Sequence, residues 1–201
     1  NDPVLDRVFG QRPDGYLERL GELLAPEIGI YWTGEEVCSR EFSVGHLRDI
    51  AAKLRRKPLL WDNYPVNDGP RMSKFLHLRS FTGRPANIAN EIAGHAVNPA
   101  SQPWLGCIPA LTLAASYAQG DAYCYGRAFT EAATAIVGAD LAAALTTDLL
   151  TFNDGGLDSI GTERRARLVA RYSGFAHPAA AEVVDWLNGG YAISGEAVQT
   201  Q

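Results

Sequence analysis

Thiols, basic charge and long apolar runs are all scarce in this chain, and each shortage closes off a class of function. Cysteine occurs three times, as Cys38, Cys107 and Cys124, with no Cys-x-x-Cys pair. An odd, unpaired set gives no disulfide framework and fits a reducing compartment such as the cytoplasm. Each cysteine is expected as a small core residue. The four histidines, His46, His77, His95 and His177, lack metal-ligand spacing, so no metal is expected. His46 is placed on a helix surface and His177 in a loop before Pro178, while His77 and His95 are expected to pack or hydrogen-bond. No stretch reaches the roughly 18 apolar residues of a membrane helix, and none reads as a secretory leader. Basic residues number 18 against 23 acidic ones, for a net charge of −5 and a pI near 5.4. That balance excludes nucleic acid and anionic membranes as main partners and disfavours a polyanionic substrate such as hyaluronan. There is no Gly-x-Ser-x-Gly elbow, Gly155-Gly156 does not match a phosphate loop, and no repeat or low-complexity segment occurs.

What is present is an ordinary globular composition: 201 residues, 46% apolar and 20% charged, enough for one domain with a real core, or one domain plus an appendage. Residues 1–14, rich in Gly, Pro and Asp, read as loop. Tyr16, Leu17, Leu20, Leu23 and Leu24 share a helical face that ends at Pro26. Ile28–Trp32 reads as a buried strand, stopped by Thr33-Gly34. Ser43 is the expected N-cap of a helix whose apolar stripe is Leu47, Ile50, Ala51 and Leu54. Its last turn carries Lys53, Arg55, Arg56 and Lys57, which suits the negative end of a helix dipole. Leu59–Trp61 is a second strand, Phe75–Leu78 a minor one, 86–92 a short helix, and Ala93–Val97 a third strand. After Pro109 helical patterns dominate, at 110–118, 126–137, 139–151, 160–172 and 178–188. The tail 189–201 is expected to be poorly ordered. The alternation helix–strand in the first half implies parallel strands with crossover helices. Three strands cannot close a barrel, so they read as its last three, followed by a helical region.

In parallel α/β folds the functional groups sit on loops after the C-terminal strand ends. That rule selects Trp32-Thr33-Gly34-Glu35-Glu36, the segment from Trp61 to Asp68, and Asn98-Pro99. The second holds Asp62, Asn63, Asn67 and Asp68 together with Trp61 and Tyr64. Carboxylates and carboxamides match the hydroxyl pattern of an uncharged pyranose, and aromatic faces pack on its C–H face. A hydroxyl bonded to a buried carboxylate is worth about 1.5–3 kcal/mol. The plainer alternative is that Asp62 and Asn63 cap the next element and Tyr64-Pro65 makes a turn. Adjacent acids such as Glu35-Glu36 ordinarily start a helix or stay solvated.

The segments Trp32-Thr33-Gly34, Trp61-Asp62-Asn63 with Asn67-Asp68, and Val97-Asn98-Pro99 resemble, in order and spacing, glycoside hydrolase family 84. This is the family of protein O-GlcNAcases and related bacterial β-N-acetylglucosaminidases, sometimes labelled hyaluronidase-like. Leu76-His77-Leu78, Thr82-Gly83-Arg84 and the Ile108–Tyr117 helix look like its bacterial branch, and the resemblance covers about residues 1–118. It implies a (β/α)8 TIM barrel, of which 1–118 matches about the last three β/α units, then a helical region over 119–190 and a tail over 191–201. It also implies retaining hydrolysis of terminal β-linked GlcNAc without any cofactor. In that mechanism the substrate's own 2-acetamido oxygen attacks the anomeric carbon, a departure from the usual pair of enzyme carboxylates. By the resemblance, Asn63 holds the acetamido end, Asp68 the ring hydroxyls O4 and O6, Asn98 a further hydroxyl, and Trp61 forms an aromatic wall. The family's catalytic Asp pair follows the fourth barrel strand and has no counterpart here; Asp62 and Asp68 match other positions. The expected catalytic set within this chain is therefore empty, and the chain by itself is expected to be inactive. Its expected partners are a GlcNAc-containing glycoside or glycoprotein, the missing barrel half or a second copy, since an open barrel exposes a strand edge and apolar faces. Two other readings stay open: a non-catalytic structural or GlcNAc-binding fragment, and a different hydrolase that pairs acids among Glu35, Glu36, Asp62 and Asp68.

Overall fold

A computed structural model describes residues 3–194, with side chains from Asp6 onward. Its only sheet among those residues has three parallel strands in the order β1-β2-β3: β1 is Tyr31–Trp32, β2 Leu59–Asp62 and β3 Gly94–Val97. Tyr31 pairs with Leu59, Leu59 with Gly94, and Asp62 with Val97. In-register neighbours share a face, so Trp32, Leu60 and Asp62 point to one side and Tyr31, Leu59 and Trp61 to the other. The first side is buried beneath helices; on the second, Tyr31 and Trp61 remain exposed, with ring centroids 5.6 Å apart.

Helix α1 spans Pro3–Phe9, so the expected loop over 1–14 is corrected there. Proline is acceptable in the first turn, where its missing N–H has no intrahelical partner. Helix α2, Tyr16–Leu23, packs on α3, Val44–Leu54. The approach is so close that a Cβ on Gly21 would lie 2.6 Å from the Leu54 carbonyl carbon. Ser43 caps α3 as expected, accepting from His46 N–H at 3.2 Å, and Leu47, Ile50 and Leu54 are buried. The basic run after α3 does more than face its own dipole. The Arg56 guanidinium donates to the carbonyls of Gly21, Leu24, Ala25 and Ile28 at 2.7–3.0 Å, covering orphan acceptors at the end of α2.

Three strand and helix limits differ from expectation. The first strand begins at Tyr31, and Ile28 is exposed, because Ala25–Ile28 forms a turn that Arg56 holds. Phe75–Leu78 is not a strand: Leu76 N–H bonds to the Phe152 carbonyl and Leu78 N–H to the Asn153 side chain, so no neighbouring strand is available to it. Pro109 lies inside α4, Pro103–Gln119, and does not bound it. Glu182 holds the start of α4, accepting from Trp104 and Leu105 N–H at 2.9 Å each.

The remaining helices are α5 (Tyr125–Val137), α6 (Ala139–Leu150), α7 (Thr162–Ser173) and α8 (Pro178–Leu187), with a π turn at Thr151–Gly155. Two apolar clusters result. One lies under the sheet and contains Trp32, Leu47, Leu54, Leu60 and Ile88. The larger joins Leu76, Leu78, Leu105 and Ile108 to the later helices around Phe152, Tyr172 and Trp186. Helix α4 serves both, through Tyr117 in the first and Ile108 in the second. Of the tail, Tyr191 packs on the larger cluster and Ile193 N–H donates to Ser73 Oγ at 3.3 Å, while 195–201 lie outside the described residues. None of the cysteines is a core residue: Cys107 and Cys124 are exposed and Cys38 is half-buried.

Candidate functional site

Asn63 and Asn98 each follow the last residue of a strand, β2 and β3. Asn98 N–H donates to the Asp62 carbonyl at 2.9 Å, which continues the ladder by one rung and sets the two asparagines side by side. Asn63 Oδ1 accepts from Asn98 Nδ2 and from Trp61 Nε1, both at 3.0 Å. Asn63 Nδ2 donates to the Val37 carbonyl at 2.7 Å. Indole N–H only donates and a carbonyl only accepts, so these contacts fix which end of the Asn63 amide points where. The second N–H of Asn63 and the Oδ1 of Asn98 have no hydrogen bond among the described residues. Beside the half-exposed Trp61 ring, these groups form a small donor–acceptor face against an aromatic wall.

Beneath it lies a charged cluster. Asp62 is 1% exposed. It accepts two bonds from Arg84, Nε–H to Oδ2 at 2.8 Å and Nη2–H to Oδ1 at 2.6 Å. His95 Nε2 lies 3.0 Å from Oδ2; a carboxylate only accepts, so Nε2 carries the proton. His95 Nδ1 is 2.7 Å from the Tyr117 hydroxyl. Burial raises the Asp62 pKa, but the bonds from His95 and Arg84 outweigh it and hold the carboxyl below the usual carboxylate range. Burial and the nearby Asp62 charge push the Tyr117 hydroxyl up to about 12, so Tyr117 stays protonated and donates to His95. Arg84 also donates to the carbonyls of Ser39, Arg40 and Thr82 at 2.6–2.9 Å, which uses all five guanidinium N–H groups. The Gly83 bend that aims it has φ +70°, and a Cβ there would stand 2.3 Å from the Arg40 carbonyl oxygen.

Asp68 is exposed and makes no hydrogen bond or ion pair among the described residues. Its neighbour Asn67, 1% exposed, anchors that loop by donating to Phe75 O and Gln102 Oε1 and accepting from Ser101 N–H, at 2.8–2.9 Å. The structure therefore brings Trp61, Asn63 and Asn98 into one hydrogen-bonded group and leaves Asp68 on a braced loop beside the segment that follows β3. The sequence assigns no role to the Val37 carbonyl, and it marks Arg84 only through the Thr82-Gly83-Arg84 resemblance and as a lone charged residue inside Phe81–Pro85.

Of the acid pairs open to the sequence, those with Asp62 are not available. Asp62 is spent on Arg84 and His95. Glu35 and Glu36 are solvated, with Glu35 Oε1 3.5 Å from His46 Nδ1. Together with Glu41 they edge a shallow depression of about 350 Å³ that does not include Asn63 or Asn98. His46 is not a surface residue as expected: Trp32 Nε1 donates to its Nε2 at 3.0 Å and draws it inward. His77 and His95 do hydrogen-bond, and His177 caps α8, accepting from Ala179 N–H. Among the described residues no group of three or more His, Cys, Asp or Glu could hold a metal, and no helix is long and apolar enough to cross a membrane.

Residues 5–152 match the family model for beta-N-acetylglucosaminidase. Protein O-GlcNAcases of Rattus norvegicus and Mus musculus are each 34% identical to this chain over 84 residues, which is 42% of this chain and 9% of theirs. The chain thus spans a small fraction of the curated relatives it matches. A mutant of the Thermobaculum terrenum O-GlcNAc hydrolase superposes with a TM-score of 0.68 at 26% identity, covering 88% of this chain and 44% of that one.

Proposed function

Given that this chain belongs to the beta-N-acetylglucosaminidase family, we propose that it supplies the sugar-binding floor of a glycoside hydrolase acting on terminal β-linked GlcNAc. The observation that carries this reading is the Trp61–Asn63–Asn98 group at the ends of β2 and β3. Its spare amide N–H and carbonyl oxygen suit an acetamide and a ring hydroxyl, and its indole suits a C–H face. In this reading the three strands are about the last three β/α units of a (β/α)8 barrel, with the face that carries the exposed Tyr31 and Trp61 turned to the barrel interior. In the same reading the exposed Asp68 binds the O4 and O6 hydroxyls. The reaction is retaining and substrate-assisted. The substrate's acetamido oxygen closes on the anomeric carbon as the glycosidic bond breaks, one carboxylate polarises the acetamide, and its neighbour protonates the leaving oxygen. Asp62 cannot fill either role while Arg84 and His95 occupy it, so that pair is assigned outside these residues.

The same locked carboxylate favours a second reading, a GlcNAc-binding module without turnover. Two measurements separate the outcomes. Calorimetric titration of the chain with GlcNAc is expected to show binding, reduced about tenfold in Asn63→Ala by loss of an amide contact. Hydrolysis of a fluorogenic β-GlcNAc glycoside by the chain alone is expected to be absent. Turnover would overturn the assignment of the acid pair, and no binding would overturn the sugar-site reading.

A further inference from the structure

We propose that Arg84, clamped on Asp62, is a positioning residue that sets the orientation of the Asn63 carboxamide; the proposal rests on the sugar-site reading for its functional meaning. Two chains of contact meet at Asn63. From below, Arg84 grips Asp62, the residue before Asn63, through both carboxylate oxygens. From the side, Arg84 grips the Ser39 and Arg40 carbonyls, and two residues earlier in that loop the Val37 carbonyl takes the Asn63 Nδ2–H. Asp62 also accepts from Asn98 N–H through its backbone oxygen. One guanidinium therefore ties down both walls against which the amide is turned, and the strand end that carries its partner Asn98. Neither Asn63 nor Asn98 touches Arg84 in any hydrogen bond of the described residues, so its influence runs through these supports. His95 and Tyr117 extend the same cluster toward α4 and hold the Asp62 carboxylate from its other side. A purely structural ion pair has no need to spend two of five donors on the loop whose Val37 carbonyl holds the Asn63 amide. The arrangement matches the general case in which a ligand-binding group is oriented by a fixed layer behind it.

The test uses the full 201-residue chain labelled with ¹⁵N. Arg84→Lys keeps the charge opposite Asp62 but has three donors for five acceptors. The expected result is displaced Asn63 carboxamide and Trp61 indole signals, unchanged signals from α6 and α7, and GlcNAc affinity lowered about tenfold, on the scale of one misplaced neutral hydrogen bond. Unmoved Asn63 and Trp61 signals in a folded variant overturn the proposal, even if thermal stability falls. Should Arg84→Lys fail to fold, native-state exchange of the unmutated chain decides: Arg84 Nε–H and the Asn63 Nδ2–H held by the Val37 carbonyl are expected to open in one common step, and separate opening energies overturn it. The sugar-site reading fails on a different observation, namely wild-type Asn63 and Asn98 signals that do not respond to GlcNAc.

Discussion

His77 shows how burial fixes a protonation state in this chain. Its Nδ1 lies 3.0 Å from the carbonyl oxygens of both Pro65 and Val66, so it must carry hydrogen there. Tyr64 stacks on the ring at 5.7 Å. Burial lowers its pKa below the ordinary 6.5, a fall that the two carbonyls only partly offset. The unfolded chain therefore takes up a proton near pH 6.5 that the folded chain refuses until the pH is lower. The stability this represents is complete above the unfolded value and is lost as pH falls through the folded one. Urea midpoints at about pH 7.5 and about pH 5 are expected to fall further for the wild type than for His77→Gln, whose amide keeps a donor toward the carbonyls. Equal declines would show that His77 is not a source of acid sensitivity. Asp62 works in the opposite chemical sense: its carboxyl stays ionised because His95 and Arg84 outweigh burial, and its share of stability is lost only as pH drops below the normal carboxylate range.

Among the elements, α4 depends on a residue remote in sequence. Its first turn has no capping side chain of its own, and Pro109 removes a donor further along. Glu182 of α8, 7% exposed, supplies a carboxylate to two of the orphan N–H groups, where a negative charge also meets the positive end of the dipole. Glu182→Ala leaves one buried and one half-buried donor unpaired and is expected to cost about 2–3 kcal/mol, read from chemical denaturation. A loss under about 0.5 kcal/mol, the range of a surface change, would mean water replaces the carboxylate. Because α4 follows the Asn98 loop and carries Tyr117, this brace also bears on the candidate site: the variant is expected to broaden the Asn98 side-chain signal.

For the whole molecule, the decisive feature is the sheet face left open. Tyr31 is 56% and Trp61 38% exposed, and the backbone of β1 is an edge. Apolar surface and unpaired strand groups favour association. The isolated chain is expected to self-associate, with a weight-average mass in sedimentation that rises with concentration and a shift back toward monomer in Tyr31→Lys, which puts a charge on that face. A mass fixed at the monomer value over the whole range would show that this face is adequately solvated.

Composition, charge and periodicity determined the parallel strands, the capped α3 and the later helices, because each rests on local pattern: apolar spacing, Ser43 before a stripe, glycines and prolines between runs. The pattern also drew attention to Asn63 and Asn98, each the first residue after a strand that the pattern itself reveals. What only the tertiary structure decided is which acids and amides are available. Asp62 and Asp68 are equal in a sequence, yet one is buried against Arg84 and His95 and the other is solvated. Phe75–Leu78 has strand-like side chains but meets the π turn at Thr151–Gly155 where a strand would be needed. The small 31–32 strand is cut short by an arginine more than twenty residues later. In each case the outcome depends on partners 22 to 75 positions away, and no local pattern carries information about which distant group will satisfy a donor, an acceptor or a charge.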